Sequence, residues 1–88
     1  MKIIYKYKVP GSNTEFVITL PVGAEILTVQ KQGLNINMWV LQTTKSTKFE
    51  ERKFRVVGTG HPFDENLKYV GTVQELEGAL VWHYFEVL

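Results

Sequence analysis

The residues best suited to chemistry stand in one short string, Gly58-Thr59-Gly60-His61-Pro62. Two glycines around a threonine permit positive φ and close backbone approach, so amides there could cradle a small anion. His61 adds a titratable ring, and Asp64 follows three residues on. The same string also reads as a tight connection, with His61 held extended by the proline behind it. Because glycine is first a turn residue, the connection is the leading reading and the anion cradle the second. No Gly-Lys-Ser/Thr follows and the glycines do not open a helix, so neither phosphate-loop pattern is met.

Other catalytic constellations are weaker. His61 and His83 have no second histidine at ligand spacing, and without cysteine there is no thiolate site, disulfide or cysteine nucleophile, so no metal is expected. Ser12 and Ser46 sit in polar stretches without a nucleophile elbow. The carboxylate pairs Glu50-Glu51 and Asp64-Glu65 are sequence neighbours, which point to opposite faces of a strand and do not make an acid–base couple. The inventory assigns no catalytic residue and no cofactor. It points to a protein that binds.

Two surfaces are candidates for that binding. Lys6, Lys8, Arg52, Lys53 and Arg55 could supply a basic side, with Trp39 or Tyr69 as platforms on which the bases of single-stranded nucleic acid stack. Tyr5 and Tyr7 alternate away from the lysines, however, and Glu50 and Glu51 dilute the arginines, so nucleic acid ranks below protein as a partner. The second surface is the far face of the last apolar segment, where His83 lies between Val81 and Phe85. Trp39, Arg52, Arg55, Tyr69, His83 and Phe85 are therefore the candidate interaction residues, beside the candidate ligand loop 58–62.

The elements that must position these residues are strands, because period two runs from end to end. Ile3, Tyr5, Tyr7 and Val9 share one face of the first, with Lys2, Lys6 and Lys8 on the other. Those lysines resemble a protected edge, since lysine on an edge strand discourages unwanted pairing. Phe16, Ile18 and Leu20 point inward from the second strand. A third, from Glu25 to Lys31, places Leu27 and Val29 on one side and Ile26 on the other, which suggests cover on both sides. The fourth runs Asn35 to Gln42 and the fifth Lys48 to Val57, with a single helical turn near Phe49 as the minor alternative because Thr47 and Glu50 match a capping box. Leu67, Tyr69 and Val73 mark the sixth. The seventh, Ala79 to Leu88, has Leu80, Trp82 and Tyr84 on one face and Val81, Phe85 and Val87 on the other. A strand apolar on both faces is central or meets another molecule, which motivates the expectation of a homo-oligomer.

Seven short strands with regular turn signals specify an all-β fold, a small β-sandwich or a partly closed β-barrel. The 88 residues allow one domain, 1–88, with one core. Lys+Arg (10) nearly cancels Asp+Glu (9), which gives no long-range attraction to nucleic acid or anionic lipid. The alternating amino-terminal stretch does not read as a signal peptide, and no apolar run has the length of a membrane span. Absent cysteine leans toward a reducing cytoplasm.

The chain resembles a family of short phage and prophage proteins that carries only a domain-of-unknown-function label. The resemblance runs nearly end to end. It rests on Ile4-Tyr5-Lys6-Tyr7, on the stretch from Leu20-Pro21 to Val29-Gln30, and on Trp39. It continues through Phe54 to Pro62 with its Gly-Thr-Gly-His-Pro string, then Tyr69-x-Gly71-Thr72 and Gly78 to Glu86. It implies a phage-encoded accessory protein in the cytoplasm of an infected host, countering host defence by binding a host or phage protein complex. Sequestering a small anionic or nucleotide ligand is the alternative, followed by single-stranded nucleic acid and a minor virion role. No catalytic residues come with the resemblance.

Overall fold

The computed structural model describes residues 1–63 and 66–88 as seven antiparallel strands in two sheets. Asp64 and the Asp64-Glu65 pair lie outside the described residues. The strands are β1 (Lys2–Val9), β2 (Glu15–Pro21), β3 (Glu25–Gln32), β4 (Asn35–Thr43), β5 (Phe49–Gly58), β6 (Leu67–Glu75) and β7 (Leu80–Val87). One sheet has three strands in the order β1-β4-β3, the other four in the order β2-β5-β7-β6. This is a sandwich, not a closed barrel. Among the described residues no helix is long and apolar enough to cross a membrane.

The alternation of the sequence becomes the core. Val9, Ile36, Met38, Val40 and Val29 line the inner side of the three-stranded sheet, while Leu20, Phe54, Val56, Val73 and Tyr84 line that of the four-stranded sheet. Phe16 stacks on Phe54 with ring centroids 5.3 Å apart, joining β2 to β5 within the core. The Tyr84 side chain is fully buried, and its hydroxyl donates to the Pro10 carbonyl at 2.6 Å, so a core phenol keeps a partner. Residue 49 opens β5 as strand, so the capping-box spacing at Thr47 and Glu50 nucleates no helical turn.

Strand β3 departs from the expected pattern. A bulge between Ile26 and Thr28 shifts its register, so Ile26 pairs with Val40 and Val29 with Met38. Ile26 and Val29 therefore both point inward, while Leu27 is the extra residue and lies exposed. The expected grouping of Leu27 with Val29 is corrected by this inserted residue. The strand is also terminal in its sheet, and with Leu27 exposed it is not covered on both faces there.

The sandwich closes on one side only. β6 carries its own bulge, between Tyr69 and Gly71, and there it meets β3. A Cβ at Gly71 would stand 2.8 Å from Val29 Cγ1, so only glycine lets the two strands come this close. On the other side, β1 and β2 end their respective sheets. Strand β7, apolar on both faces, is interior to its sheet: one face meets the core and the other carries the candidate site.

Candidate functional site

The site is the outer face of the four-stranded sheet, built by β5, β6 and β7 with the turn that leaves β5. Register fixes its rows. Arg55 pairs with Phe85 and Val57 with His83 on one side of β7; Tyr69 pairs with Phe85 and Thr72 with His83 on the other. Side chains directly opposite in antiparallel strands share a face.

The turn at Gly58-Thr59-Gly60-His61 sets the end of this face. The His61 amide donates to the Gly58 carbonyl at 3.1 Å, and Gly60 has φ of +88°, which the third residue of a type II turn requires. The Gly58 amide donates to Asn13 Oδ1 at 3.2 Å. Pro62 has no N–H, so at most the Thr59 and Gly60 amides remain for an anion, a sparse cradle.

From this turn Thr59 reaches over β7. Its hydroxyl lies 2.7 Å from His83 Nε2; His83 Nδ1 lies 3.0 Å from Thr72 Oγ1; and Thr72 Oγ1 lies 2.6 Å from the Tyr69 hydroxyl. A neutral imidazole has one N–H and one acceptor, while each hydroxyl can donate and accept. The chain is therefore satisfied with hydrogen bonds running in either direction, and both imidazole tautomers fit. Next to it, Phe85 stacks on Phe63 with centroids 5.0 Å apart and meets the Tyr69 ring edge-on at 5.6 Å. Tyr69 belongs to both networks: its hydroxyl ends the polar chain and its ring flanks the aromatic cluster.

The face includes a buried member. Val57 points outward in register yet is only 3% exposed, whereas Tyr69 is 57% exposed and Phe63 50%. A hollow of about 250 Å³ adjoins the face, lined in part by Asn13, Glu15, Arg55 and Pro62. Glu15 pairs with Arg55 at 3.2 Å and with Lys53 at 3.6 Å, so one carboxylate offsets one of the two positive charges at this border.

Of the residues singled out from sequence, Thr59, Arg55, Tyr69, His83 and Phe85 come together here. His61 sits against Gly58 at the turn, and Pro62 lines the adjoining hollow. Trp39 does not join them: it lies on the outer face of the other sheet, in register with Lys6 and Thr28. Arg52 turns the other way. Its Nε and Nη2 donate to the two Glu86 oxygens, and its Nη1 donates to the Ala24 carbonyl at 2.7 Å. The hydrogen bond to Glu86 raises the guanidinium above its usual pKa; partial burial opposes this, and the charges of Glu86 and Glu50 add to it. The expected basic groove is thus divided, with Lys6 on one sheet, Lys53 and Arg55 on the other, and Arg52 paired.

Sequence reasoning missed Thr72 and Phe63. Thr72 was findable only through its pairing with His83 across β6 and β7, and Phe63 as an exposed aromatic just after Pro62. Among the described residues no three His, Asp or Glu side chains stand close enough to hold a metal ion. The Thr59–His83 contact has the geometry of a hydroxyl beside a base, but the group behind His83 is the Thr72 hydroxyl. A carboxylate, which stabilises an imidazolium during nucleophilic catalysis, does not occupy that place. What the arrangement does offer is a held set of hydrogen-bonding groups beside exposed aromatic rings.

Compared with known proteins, residues 1–88 match a family model described as a domain of unknown function (DUF7352). No curated protein and no solved structure matches the chain.

Proposed function

Since this chain belongs over residues 1–88 to the DUF7352 family, whose description assigns no activity, we propose from its geometry that it is a non-enzymatic protein-binding module. The observation that carries the reading is the outer face of the four-stranded sheet. There the hydroxyl–imidazole chain Thr59–His83–Thr72–Tyr69 locks polar groups in place beside the Phe63, Tyr69 and Phe85 rings. Interface centres are enriched in such aromatic groups and in arginine, and side chains ordered before binding lose less entropy when a partner arrives.

The biological setting is part of the proposal. The resemblance of the Gly58–Pro62 string and its flanking segments to short phage and prophage proteins supports an accessory protein of an infecting phage. Acting in the host cytoplasm, it counters host defence by occupying a surface of a protein complex. The same aromatic face supports self-association as a second reading.

Two measurements test this. Native mass spectrometry of the purified protein reads the self-association state and any retained ligand; a retained nucleotide would replace the protein-binding reading with a sequestering one. A photo-crosslinking residue at position 69 should capture one partner in infected cells, and Phe85→Ala should abolish the capture. The same crosslinker at Leu34, exposed in the turn between β3 and β4 of the other sheet, should not give that product. Equal capture from both positions would refute the proposed face.

A further inference from the structure

We propose that β1 is a strand-addition site for an extended acidic segment of another protein. The site lies at the edge of the three-stranded sheet, does not rest on the reading of the His83 face, and uses different residues.

Three observations meet at this strand. First, β1 ends its sheet: among the described residues it pairs with β4 alone, over Lys2 to Val9, and no strand of these residues receives the backbone groups on its other side. Strand edges of this kind pair with incoming chains unless something blocks them. Second, β1 is poorly covered even on its inner side. Ile3 and Tyr5 share the core-facing register with Tyr7 and Val9, yet Ile3 is 36% and Tyr5 50% exposed, whereas Val9 is 5%. On the outer side Ile4 is 55% exposed. The sheet therefore overhangs its partner here and leaves apolar side chains waiting for cover.

Third, the charge on the strand has one sign. Lys2, Lys6 and Lys8 line the outer face, β1 contains no acidic residue, and among the described residues none of the three has a carboxylate within ion-pair distance. Lys6 Nζ donates to Gln32 Oε1, a neutral partner.

This charge selects the occupant. A second copy pairing antiparallel through β1 would set lysine against lysine. Centred on Tyr5, Lys2 faces Lys8; centred on Lys6, the two Lys6 residues meet; centred on Ile4, Lys2 faces Lys6. Like charges directly opposite destabilise a strand pair, whereas opposite charges support it. The occupant that fits is a strand with carboxylates alternating with apolar side chains. Its carboxylates would answer the lysines on the outer face, and its apolar residues would cover Ile3 and Tyr5 on the inner face. The lysines then act twice, rejecting copies of this chain and admitting an acidic partner.

The probe is a synthetic eight-residue peptide of alternating glutamate and valine, matched in length to β1. It should bind saturably, weaken as salt rises, and raise hydrogen-exchange protection at alternate β1 amides. The matching lysine–valine peptide should not bind. In the full-length protein, Lys6→Glu with Lys8→Glu should weaken the acidic probe about tenfold or more while leaving the circular dichroism and melting curve unchanged, because both side chains are exposed. The same variant should gain binding to the lysine–valine peptide. The proposal is overturned if the acidic probe shows no saturable binding, or if its affinity survives the charge reversal. It is equally overturned if protection appears outside β1, or if β1 becomes protected in the free protein as concentration rises, which would make the partner a second copy.

Discussion

Arg52 and Glu86 form a two-point guanidinium–carboxylate pair, and the remaining guanidinium nitrogen holds the Ala24 carbonyl at the start of β3. Since Arg52 and Glu86 belong to the four-stranded sheet and Ala24 leads into the other, one side chain ties the two layers together. Parallel N–H···O bonds of this type are strong and geometrically selective.

Glu86→Gln should therefore destabilise the protein by about 1–2 kcal/mol. That is less than the roughly 3–5 kcal/mol for breaking a fully buried pair, because the Arg52 and Glu86 side chains are 17% and 13% exposed. Replacing both with apolar residues, Arg52→Met with Glu86→Leu, should recover most of the loss. Urea unfolding midpoints of the two variants and the parent protein check this, and a double variant worse than Glu86→Gln would contradict it.

Gly71→Ala should cost about 1–3 kcal/mol, because its methyl would press on Val29 Cγ1 from 2.8 Å and Val29 is itself buried. Combining it with Val29→Ala should be less damaging than the sum of the single changes. A thermal-melting double-mutant cycle measures the coupling.

Alkaline pH should loosen the fold through Tyr84. Burial pushes its phenol well above the ordinary value of 10, with the charge of Glu75 adding to the effect. A group whose folded pKa is raised contributes fully below its unfolded pKa and loses that contribution as pH rises toward the folded value. Stability should thus decline from about pH 10 upward. Tyr84→Phe should flatten that decline while costing about 1 kcal/mol at neutral pH through the lost bond to Pro10. Denaturant titrations from pH 7 to 11 read both effects.

Thr72→Val should break the polar chain at its centre without threatening the fold. Tyr69 and His83 would lose their link, and because Thr72 and Tyr69 are exposed the stability change should stay within about 0.5 kcal/mol. Partner binding should weaken all the same, since Tyr69 would no longer be held. NMR of the His83 ring nitrogens, with and without the substitution, reports whether the chain exists in solution.

Much of the architecture was legible because strand formation is written locally. Alternation at Ile3 to Val9, Phe16 to Leu20 and Ile36 to Val40 reflects a pleat that sends neighbours to opposite faces, and each stretch became a strand. The Gly58–His61 turn was readable for the same reason, as Gly60 accepts a positive φ at little cost. The candidate site was legible in part. Tyr69, His83 and Phe85 showed as chemistry on strands, while Thr72 and Phe63 gave no signal until their neighbours were known.

The sequence by itself determined seven strands, their turns, the absence of thiol chemistry and a near-neutral charge. Only the tertiary structure decided which strands are neighbours. It placed Arg52 against Glu86 instead of on a basic surface, set Trp39 on the sheet opposite Tyr69, and made β1 an open edge. It also inserted Leu27 as a bulge, which brought Ile26 and Val29 to one face. The physical reason is range. Side-chain alternation is a property of consecutive residues, whereas register, bulges and sheet order are chosen by contacts between residues far apart in the chain, where a one-residue shift reverses every face beyond it.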